Sequence, residues 1–323
     1  MNNLLLTIVF CFFSFFSFSQ IWEDELLKTN PTPTIQEKST AFENYRASHN
    51  YTKGNGFNPY AREMDFSLER SFGDATFKAD ALFIEWEKIQ SNESHLKTSS
   101  QANWVSKGPI NTPIILSNGK KRGNGRVNCI AFDPNDEDII WIGSPGGGLW
   151  KSVDGGSNWT TGTDNLPVIG VSSIAIDPTN TQNMLIVTGD ANASDTYSIG
   201  ILKSTDGGNI WNTTSLSYNI SDEKTINKVI INPDNPDSVY AVTNSNIMIS
   251  TDAGSNWIII GAIGRWRDIE FKPGTPSTIY AAKQSSGGSN VYRSIDGGAN
   301  WSVINNGVAT SGKYRPLIAV TPD

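Results

Sequence analysis

Ser152-Val153-Asp154-Gly155-Gly156-Ser157-Asn158-Trp159 decides the fold of this 323-residue chain, because close copies of this stretch occur three more times. We call each copy a repeated turn. The tryptophans that end the copies, at positions 159, 211, 257 and 301, are 52, 46 and 44 residues apart. A period of about 40–50 residues in a strand-rich sequence is typical of propeller blades. The other copies are Ser204–Trp211, Ser250–Trp257 and Ser294–Trp301.

Three short apolar segments precede each repeated turn, and a fourth segment follows its tryptophan. In the first repeat the three segments are Val127–Pro134, Ile139–Gly143 and Gly148–Ser152. Short apolar segments joined by tight turns predict an antiparallel sheet of four strands in each repeat. The predicted fold class is therefore all-β: a β-propeller of four-stranded blades behind a small helical N-terminal region. The expected blades are residues 126–166, 170–217, 226–261 and 265–306, with an incomplete fifth blade at 314–323.

The sequence predicts three regions along the chain. Residues 1–19 have no charged side chain and contain an apolar run of about 15 residues, which predicts a secretory signal peptide. A transmembrane helix is less consistent with this run, because a helix needs roughly 20 apolar residues to span a membrane. Residues 20–103 predict helices and a linker, and residues 104–323 hold the blades. Four blades and part of a fifth would leave an open sheet edge, so we expect a truncated chain or one that closes with a partner. The predicted location is the cell surface or the medium, without a transmembrane anchor.

Two helices are predicted before the repeats. Thr34-Ile35-Gln36-Glu37 has the pattern of a capping box, in which the first and last side chains each bond the other residue's backbone. Ile35 and Phe42 then share one face of the helix that follows. Leu82, Phe83, Trp86 and Ile89 form an apolar stripe at helical spacing and predict the second helix.

Composition argues against several kinds of function. A net charge of −7 disfavours nucleic acid as a partner. Both histidines precede the repeats, and removal of residues 1–19 would leave Cys129 as the single cysteine, so we expect neither a metal site nor a disulfide. Cys129 lies in an apolar segment and is expected to be a buried, unreactive thiol. No cofactor is expected, because the sequence has no phosphate-binding glycine loop.

The residue types of the repeated turn predict a structural role. Paired glycines supply backbone conformations with positive φ, the aspartate can accept hydrogen bonds from the turn's own amides, and the tryptophan can pack beneath the turn. Metal binding by the aspartates is a weaker interpretation, because each lies about one blade from the next. The residues expected to stabilise the turns are Asp154, Trp159, Asp206, Trp211, Asp252, Trp257, Asp296 and Trp301.

The repeated turn resembles the Asp-box, or bacterial neuraminidase repeat, of sialidases, xyloglucanase-type glycosidases, the sortilin receptor domain and photosystem assembly propellers. The stretches Gly125–Pro134 and Gly146–Ser152 are similar to exported sortilin-like propellers of gliding bacteria. This resemblance covers about residues 104–323 and implies a propeller. It implies no particular activity, because the same repeat occurs in enzymes and in non-enzymes.

Two functions are compatible with the sequence: non-catalytic binding of an extracellular polysaccharide or protein, and a sialidase- or xyloglucanase-like glycoside hydrolase with part of its site beyond the C-terminus. Antiparallel strand order gathers the segments before each first strand and after each second strand at one end of the propeller. Tyr197, Trp266 and Tyr314 are expected to be aromatic platforms there. The arginines either converge on a carboxylate ligand or pair with acidic neighbours such as Asp268 and Glu270. The predicted ligand-binding residues are Arg126, Asp190, Asp195, Tyr197, Arg265, Trp266, Arg267, Tyr314 and Arg315.

The hydrolase alternative needs two carboxylates that face each other across the site. The resemblance to xyloglucanases places Pro145 where those enzymes have a catalytic aspartate before paired glycines, and proline cannot transfer a proton. Asp190 and Asp195 could replace that pair, or they could be solvated loop residues. We therefore favour the binding function.

Overall fold

The computed structural model divides the chain into two compact units. The first contains the helices α1 (Ile21–Thr29), α2 (Ile35–Ser48) and α3 (Phe57–Leu68). The second contains the helix α4 (Ala81–Ser91) and four β-sheets. The residues that the structure describes are 21–30, 33–49, 57–68, 71, 80–91, 125–192, 196–261, 263–285, 288–307 and 315–322.

An aromatic core holds the helical unit together. The rings of Phe42 and Tyr60 are stacked with centroids 3.7 Å apart, and Trp22 meets both edge-on. The predicted capping box is confirmed at the start of α2, where Glu37 N–H donates to Thr34 Oγ1 at 3.2 Å and Thr34 N–H donates to the Glu37 carboxylate at 2.7 Å. This exchange satisfies two amides that the first helical turn leaves unpaired.

Each of the four sheets is antiparallel, and its strands follow chain order. Sheet one contains β1 (Cys129–Asp133), β2 (Asp136–Ser144), β3 (Gly148–Ser152) and β4 (Thr160–Thr161). Sheet two contains β5 (Val171–Ile176), β6 (Met184–Thr188), β7 (Gly200–Ser204) and β8 (Asn212–Ser217). Sheet three contains β9 (Ile226–Ile231), β10 (Val239–Thr243), β11 (Ile247–Ser250) and β12 (Ile258–Ile259). Sheet four contains β13 (Arg265–Lys272), β14 (Thr275–Ser285), β15 (Gly288–Ser294) and β16 (Ser302–Val303).

The sheets are arranged as propeller blades. The first strand of each sheet contacts the first strand of the next sheet, so β1, β5, β9 and β13 lie side by side. The second strand of a sheet also contacts the first strand of its successor. Sheets that meet face to face with their first strands innermost form a propeller, which confirms the predicted fold class.

Three apolar cores fill the spaces between successive blades. Between blades two and three, Val187 and Ile201 meet Ile226 and Val239, and all four side chains are fully buried. Burying one such side chain contributes roughly 1.5–3 kcal/mol. Trp141 and Leu149 belong to the corresponding core between blades one and two.

The repeated turn is a network of local hydrogen bonds. In the first copy, Ser152 Oγ donates to Asp154 Oδ1 at 2.8 Å and accepts from Gly156 N–H at 2.8 Å. Asp154 Oδ1 also accepts from Asn158 N–H at 2.8 Å, and Trp159 Nε1 donates to the Gly156 carbonyl at 2.9 Å. The serine–aspartate bond recurs in every copy, at 2.7 or 2.8 Å. The aspartates therefore act as predicted, by accepting bonds within the turn.

Two copies of the turn depart from this pattern. In the second copy Ile210 replaces the asparagine, so the bond from an asparagine side chain to Asp206 Oδ2 is missing. Trp211 Nε1 in the same copy is buried without a hydrogen-bond partner. In the third copy Ala253 takes the place of the first glycine and adopts φ 54°. Few residues with a Cβ adopt this conformation without strain.

Several predictions fall outside the described residues. These are the signal peptide at 1–19, most of the linker, and the side chains of Asp195 and Tyr314. The second apolar stripe does form α4, but Leu82 is 71% exposed and Ile89 is 51% exposed. Among the helices within the described ranges, none combines the length and the apolar character needed to cross a membrane.

Candidate ligand-binding site

We call the end of the propeller where the first strands begin the upper face. The segments before β1 and β13 and the loop after β6 all lie at this end, as the antiparallel strand order requires. The repeated turns lie at the opposite end, where Gly155 N–H donates to the carbonyl of Asp138 near the start of β2. The predicted ligand-binding residues that the structure describes therefore share the upper face.

Asp190 forms the centre of a polar network on the upper face. Its side chain is completely buried, and its carboxylate pairs with the guanidinium of Arg126 from the segment before blade one. Asn128 Nδ2 donates to Asp190 Oδ1 at 3.2 Å, and Asn192 N–H donates to the same oxygen at 2.9 Å. The carboxylate of blade two therefore anchors the chain that enters blade one.

Arg315 binds the same loop from the far end of the described chain. Its Nη1 donates to the carbonyl of Asn192 at 2.9 Å, and its Nη2 donates to the carbonyl of Ala191 at 2.5 Å. Arg126 and Arg315 thus meet at one turn, residues 190–192, although they lie on either side of the four sheets in sequence.

Arg267 is held by amide side chains. Its Nε donates to Gln284 Oε1 at 2.7 Å, and its Nη1 lies 3.2 Å from Asn227 Oδ1 and 3.3 Å from Asn244 Oδ1. Asn227 in turn donates to the backbone carbonyl of Trp266 at 2.5 Å. These contacts fix the direction of the guanidinium without neutralising its charge.

The four arginines of the upper face influence one another electrostatically, and we call Arg126, Arg265, Arg267 and Arg315 the arginine cluster. Burial lowers the pKa of Arg267 to about 10, and the positive charges of Arg265 and Arg315 add to this effect. Burial also lowers the pKa of Arg315, where the charges of Arg126 and Arg265 oppose protonation and Asp190 favours it. The cluster therefore concentrates positive charge on an otherwise acidic protein.

The acidic neighbours that could have neutralised the arginines are engaged elsewhere. Asp268 and Glu270 both pair with Lys228, at 2.7 and 2.5 Å. The second oxygen of Asp268 accepts from Ile318 N–H at 2.6 Å. Within the described residues, neither Arg265 nor Arg267 forms an ion pair with a carboxylate. The expected pairing with acidic neighbours therefore holds for Arg126, which pairs with Asp190, and is wrong for Asp268 and Glu270, which pair with Lys228.

The structure corrects the expected roles of two site residues. Trp266 is 1% exposed and lies in the core between blades three and four, where its ring meets Tyr292 edge-on at 5.0 Å, so it cannot act as a surface platform. Asp190 is neither a solvated loop residue nor one of two free carboxylates, because it is buried and bonded to Arg126. Tyr197 is half-buried in the loop that precedes β7.

Sequence reasoning found Arg267 but missed three residues that share its position in the repeat, Asn128, Ser172 and Asn227. Asn128, Ser172, Asn227 and Arg267 each stand six residues before the proline that follows a first strand, so they occupy one position of the repeat. All four make polar contacts on the upper face, and Ser172 Oγ donates to the Gly189 carbonyl at 2.7 Å. Aligning the four repeats on their prolines would have revealed this position.

The two buried aspartates of the upper face offer little for acid–base chemistry. Asp190 and Asp268 are both buried and multiply bonded, and Pro145 carries no ionisable group. No group of three metal-ligating side chains occurs among the described residues. Burial raises the pKa of the Cys129 thiol to about 12, so a reactive thiolate does not form there at neutral pH.

No protein-family model matches the chain. Among curated proteins, the chain is similar to a xyloglucanase of Paenibacillus sp, with 24% identity over 218 residues that cover 56% of this chain and 21% of the relative. It is 27% identical to xyloglucanase Xgh74A of Acetivibrio thermocellus over 242 residues, which cover 64% of this chain and 28% of the relative. The chain thus spans about a quarter of the length of these relatives.

Three solved structures are also similar to part of the chain. An ancestral GH74 enzyme has a TM-score of 0.49 and 21% identity, over 58% of this chain and 26% of the enzyme. The GH74 enzyme of Niastella koreensis has a TM-score of 0.44 and 22% identity, over 56% of this chain and 30% of the enzyme. YCF48 bound to D1 peptide has a TM-score of 0.42 and 22% identity, over 55% and 53% of the two chains.

Proposed function

We propose that this protein is a non-catalytic propeller that binds an extracellular polysaccharide on its upper face. The observation that supports this most directly is the arrangement around Asp190. Both oxygens of its carboxylate are bonded to residues of the protein itself. By contrast, Arg265 is exposed, and Arg267 is bonded only to neutral amide side chains. Such a surface can bind polar groups of a ligand, whereas the buried carboxylate of Asp190 is not free to cleave a bond.

Export of the protein and the class of its repeats are part of this proposal. The uncharged apolar segment at residues 1–19 supports secretion through a signal peptide. We assign the repeated turns as Asp-boxes. This assignment is supported by the hydrogen bonds that join Ser152, Asp154 and Gly156 and by the matching bonds in the other blades. A polysaccharide ligand is also consistent with the xyloglucanases among the relatives.

Glycoside hydrolysis is the second candidate, because the curated relatives are named xyloglucanases. Hydrolysis requires carboxyl groups about 5–10 Å apart on either side of the scissile bond. Pro145 cannot supply one of them. Asp190 has both oxygens engaged, by Arg126 and by Asn128 and Asn192. We therefore rank this activity below binding.

The two functions are separated by incubating the purified protein with a panel of neutral and acidic polysaccharides. Retention on the polysaccharide and release of reducing sugar are measured on the same samples. We expect retention without sugar release. Release of reducing sugar that persists in an independently purified sample would establish hydrolysis. Absence of retention on the whole panel would refute polysaccharide binding and favour a protein ligand.

A further inference from the structure

We propose that the upper face selects polysaccharides that carry carboxylate groups, and that Arg265 and Arg267 contact the carboxylate directly. This inference rests on the proposed function and narrows its ligand class. It starts from the charge balance of the upper face. The arginine cluster supplies four guanidinium groups, and Asp190 pairs with Arg126, whereas Arg265 and Arg267 have no ion pair among the described residues.

Arg265 and Arg267 are placed to act together. They lie two residues apart on β13, and Arg265 is paired in register with Gln284, the residue that accepts from Arg267 Nε at 2.7 Å. Arg265 is exposed and has no side-chain bond among the described residues, whereas Arg267 is half-buried and fixed by three amides. A fixed guanidinium beside an exposed one suits a planar carboxylate, which accepts paired bonds from arginine.

Placing these positive charges close together reduces the stability of the folded protein, and an anionic ligand would offset that loss. Neighbouring arginines repel one another, and the half-buried Arg267 loses hydration without gaining a carboxylate partner. An arrangement of this kind weakens the fold unless an anion relieves it. The net charge of −7 opposes an acidic polymer only weakly at this surface, because charges more than about 10 Å away are largely screened at 0.1 M salt.

The surroundings of the arginines favour a sugar over an acidic peptide. Gln284 beside Arg267 and the exposed Asn192 beside Arg315 each keep one amide atom, Nε2 and Oδ1 respectively, without a hydrogen-bond partner among the described residues. Amide side chains both donate and accept, as sugar hydroxyl groups do. An acidic peptide offers few hydroxyl groups to match them. A carboxylated sugar uses both the charge and the amides of this surface.

The test compares polygalacturonate with its fully methyl-esterified form, since the two share a backbone and differ in the charge of the carboxyl group. We expect the purified protein to bind the free acid at least about tenfold more tightly than the ester. Arg265→Gln should remove most of this difference. Arg293→Gln is the matched control. Arg293 is also an exposed arginine of blade four, and its side chain has no partner among the described residues. It lies beside the repeated turn, at the opposite end of the blade from Arg265.

Several outcomes would overturn the inference. Equal binding of acid and ester would do so, and so would equal effects of Arg265→Gln and Arg293→Gln. Stronger binding of dextran sulfate than of polygalacturonate would contradict a preference for carboxylate, and binding of polyglutamate alone would contradict a polysaccharide ligand. Retention on neutral xyloglucan without retention on polygalacturonate would refute this inference while leaving the proposed binding function intact.

Discussion

The guanidinium of Arg315 donates a 2.9 Å hydrogen bond to the carbonyl of Asn192, which lies 123 residues earlier in the chain. The neighbouring Asp190 pairs with Arg126, from the segment that enters blade one. Residues before the first blade and after the fourth therefore meet at one turn of the second blade. This convergence makes the upper face a single polar surface and explains why its residues are so far apart in sequence.

The strained alanine of the third repeated turn gives a direct test of backbone conformation. Ala253 has φ 54°, whereas the glycine at the same position in the fourth copy, Gly297, has φ 66°. We expect Ala253→Gly to raise the free energy of unfolding by about 0.5–1 kcal/mol, because relief of the strain exceeds the added entropy of the unfolded chain. Thermal or urea unfolding measures this change.

Gly297→Ala is the reverse substitution at the matched position. A Cβ there would meet Tyr240 Oη at 3.6 Å, an ordinary contact, so backbone strain is the main effect. We expect it to destabilise the protein by a similar amount. If Ala253→Gly left the unfolding midpoint unchanged while Gly297→Ala lowered it, the turn of the third copy would not be strained.

The aspartates of the repeated turns should make the protein sensitive to acid. Hydrogen bonds from Asn158, its side chain first and its backbone next, lower the pKa of Asp154 to about 2. Bonds from the backbone and side chain of Asn300 lower the pKa of Asp296 to about 2. The unfolded value is about 3.9, so these carboxylates stabilise the fold above pH 4 and lose that effect as the pH falls towards 2.

Asp154→Asn should therefore reduce stability at pH 6 and flatten its decline between pH 4 and pH 2, as measured by urea unfolding at each pH. The control is Asp234→Asn, because Asp234 is exposed and its carboxylate has no hydrogen-bond partner among the described residues. That variant should keep the acid dependence of the original protein. Identical pH profiles for the two variants would contradict a role for the turn in acid stability.

The repeats could be predicted because their chemistry is local. The bonds of Asp154 all lie within residues 152–158, so the sequence pattern alone specifies them. The capping box of Thr34 and Glu37 was predictable for the same reason. The second copy shows the limit of the pattern, since Ile210 removes one bond of Asp206 and leaves the fold of the blade intact.

The upper face was only partly predictable, because its contacts join distant blades. Its arginines could be found from strand order, but the pairing of Asp190 with Arg126 depends on how blades one and two meet. The error at Trp266 was avoidable. Trp266 stands seven residues before its strand-ending proline, where Val171 and Ile226 occupy the preceding blades, and both of those are completely buried.

Trp266→Ala should act on stability before it acts on any ligand. The indole is 1% exposed and packs against Tyr292 and Trp301, at centroid distances of 5.0 and 6.2 Å. Its removal should cost about 3–5 kcal/mol of unfolding free energy, the usual loss for a large buried aromatic side chain. Denaturant unfolding without ligand measures this loss. Unchanged stability combined with lost polysaccharide retention would restore Trp266 as a platform on the surface.

The ion pairs of Lys228 connect blades three and four and should respond to alkaline pH. Its Nζ lies 2.7 Å from Asp268 and 2.5 Å from Glu270. Burial alone would lower the pKa of Lys228, but the two carboxylates outweigh burial and raise it above its ordinary value. A group whose folded pKa is raised stabilises the protein fully below its unfolded pKa, about 10.4, and loses that effect as the pH rises through the folded value.

Lys228→Met should therefore destabilise the protein at pH 7 by about 3–5 kcal/mol, because it leaves the buried Asp268 without its cation. Adding Asp268→Asn should recover part of this loss by removing the unpaired charge. Lys272→Met, at a lysine of the same sheet as Asp268 that has no ion pair among the described residues, should change stability by less than about 1 kcal/mol. Urea unfolding at pH 7 and pH 11 distinguishes these variants. If Lys228→Met and Lys272→Met lost stability equally at pH 7, the contacts of Lys228 would contribute no more than those of an ordinary surface lysine.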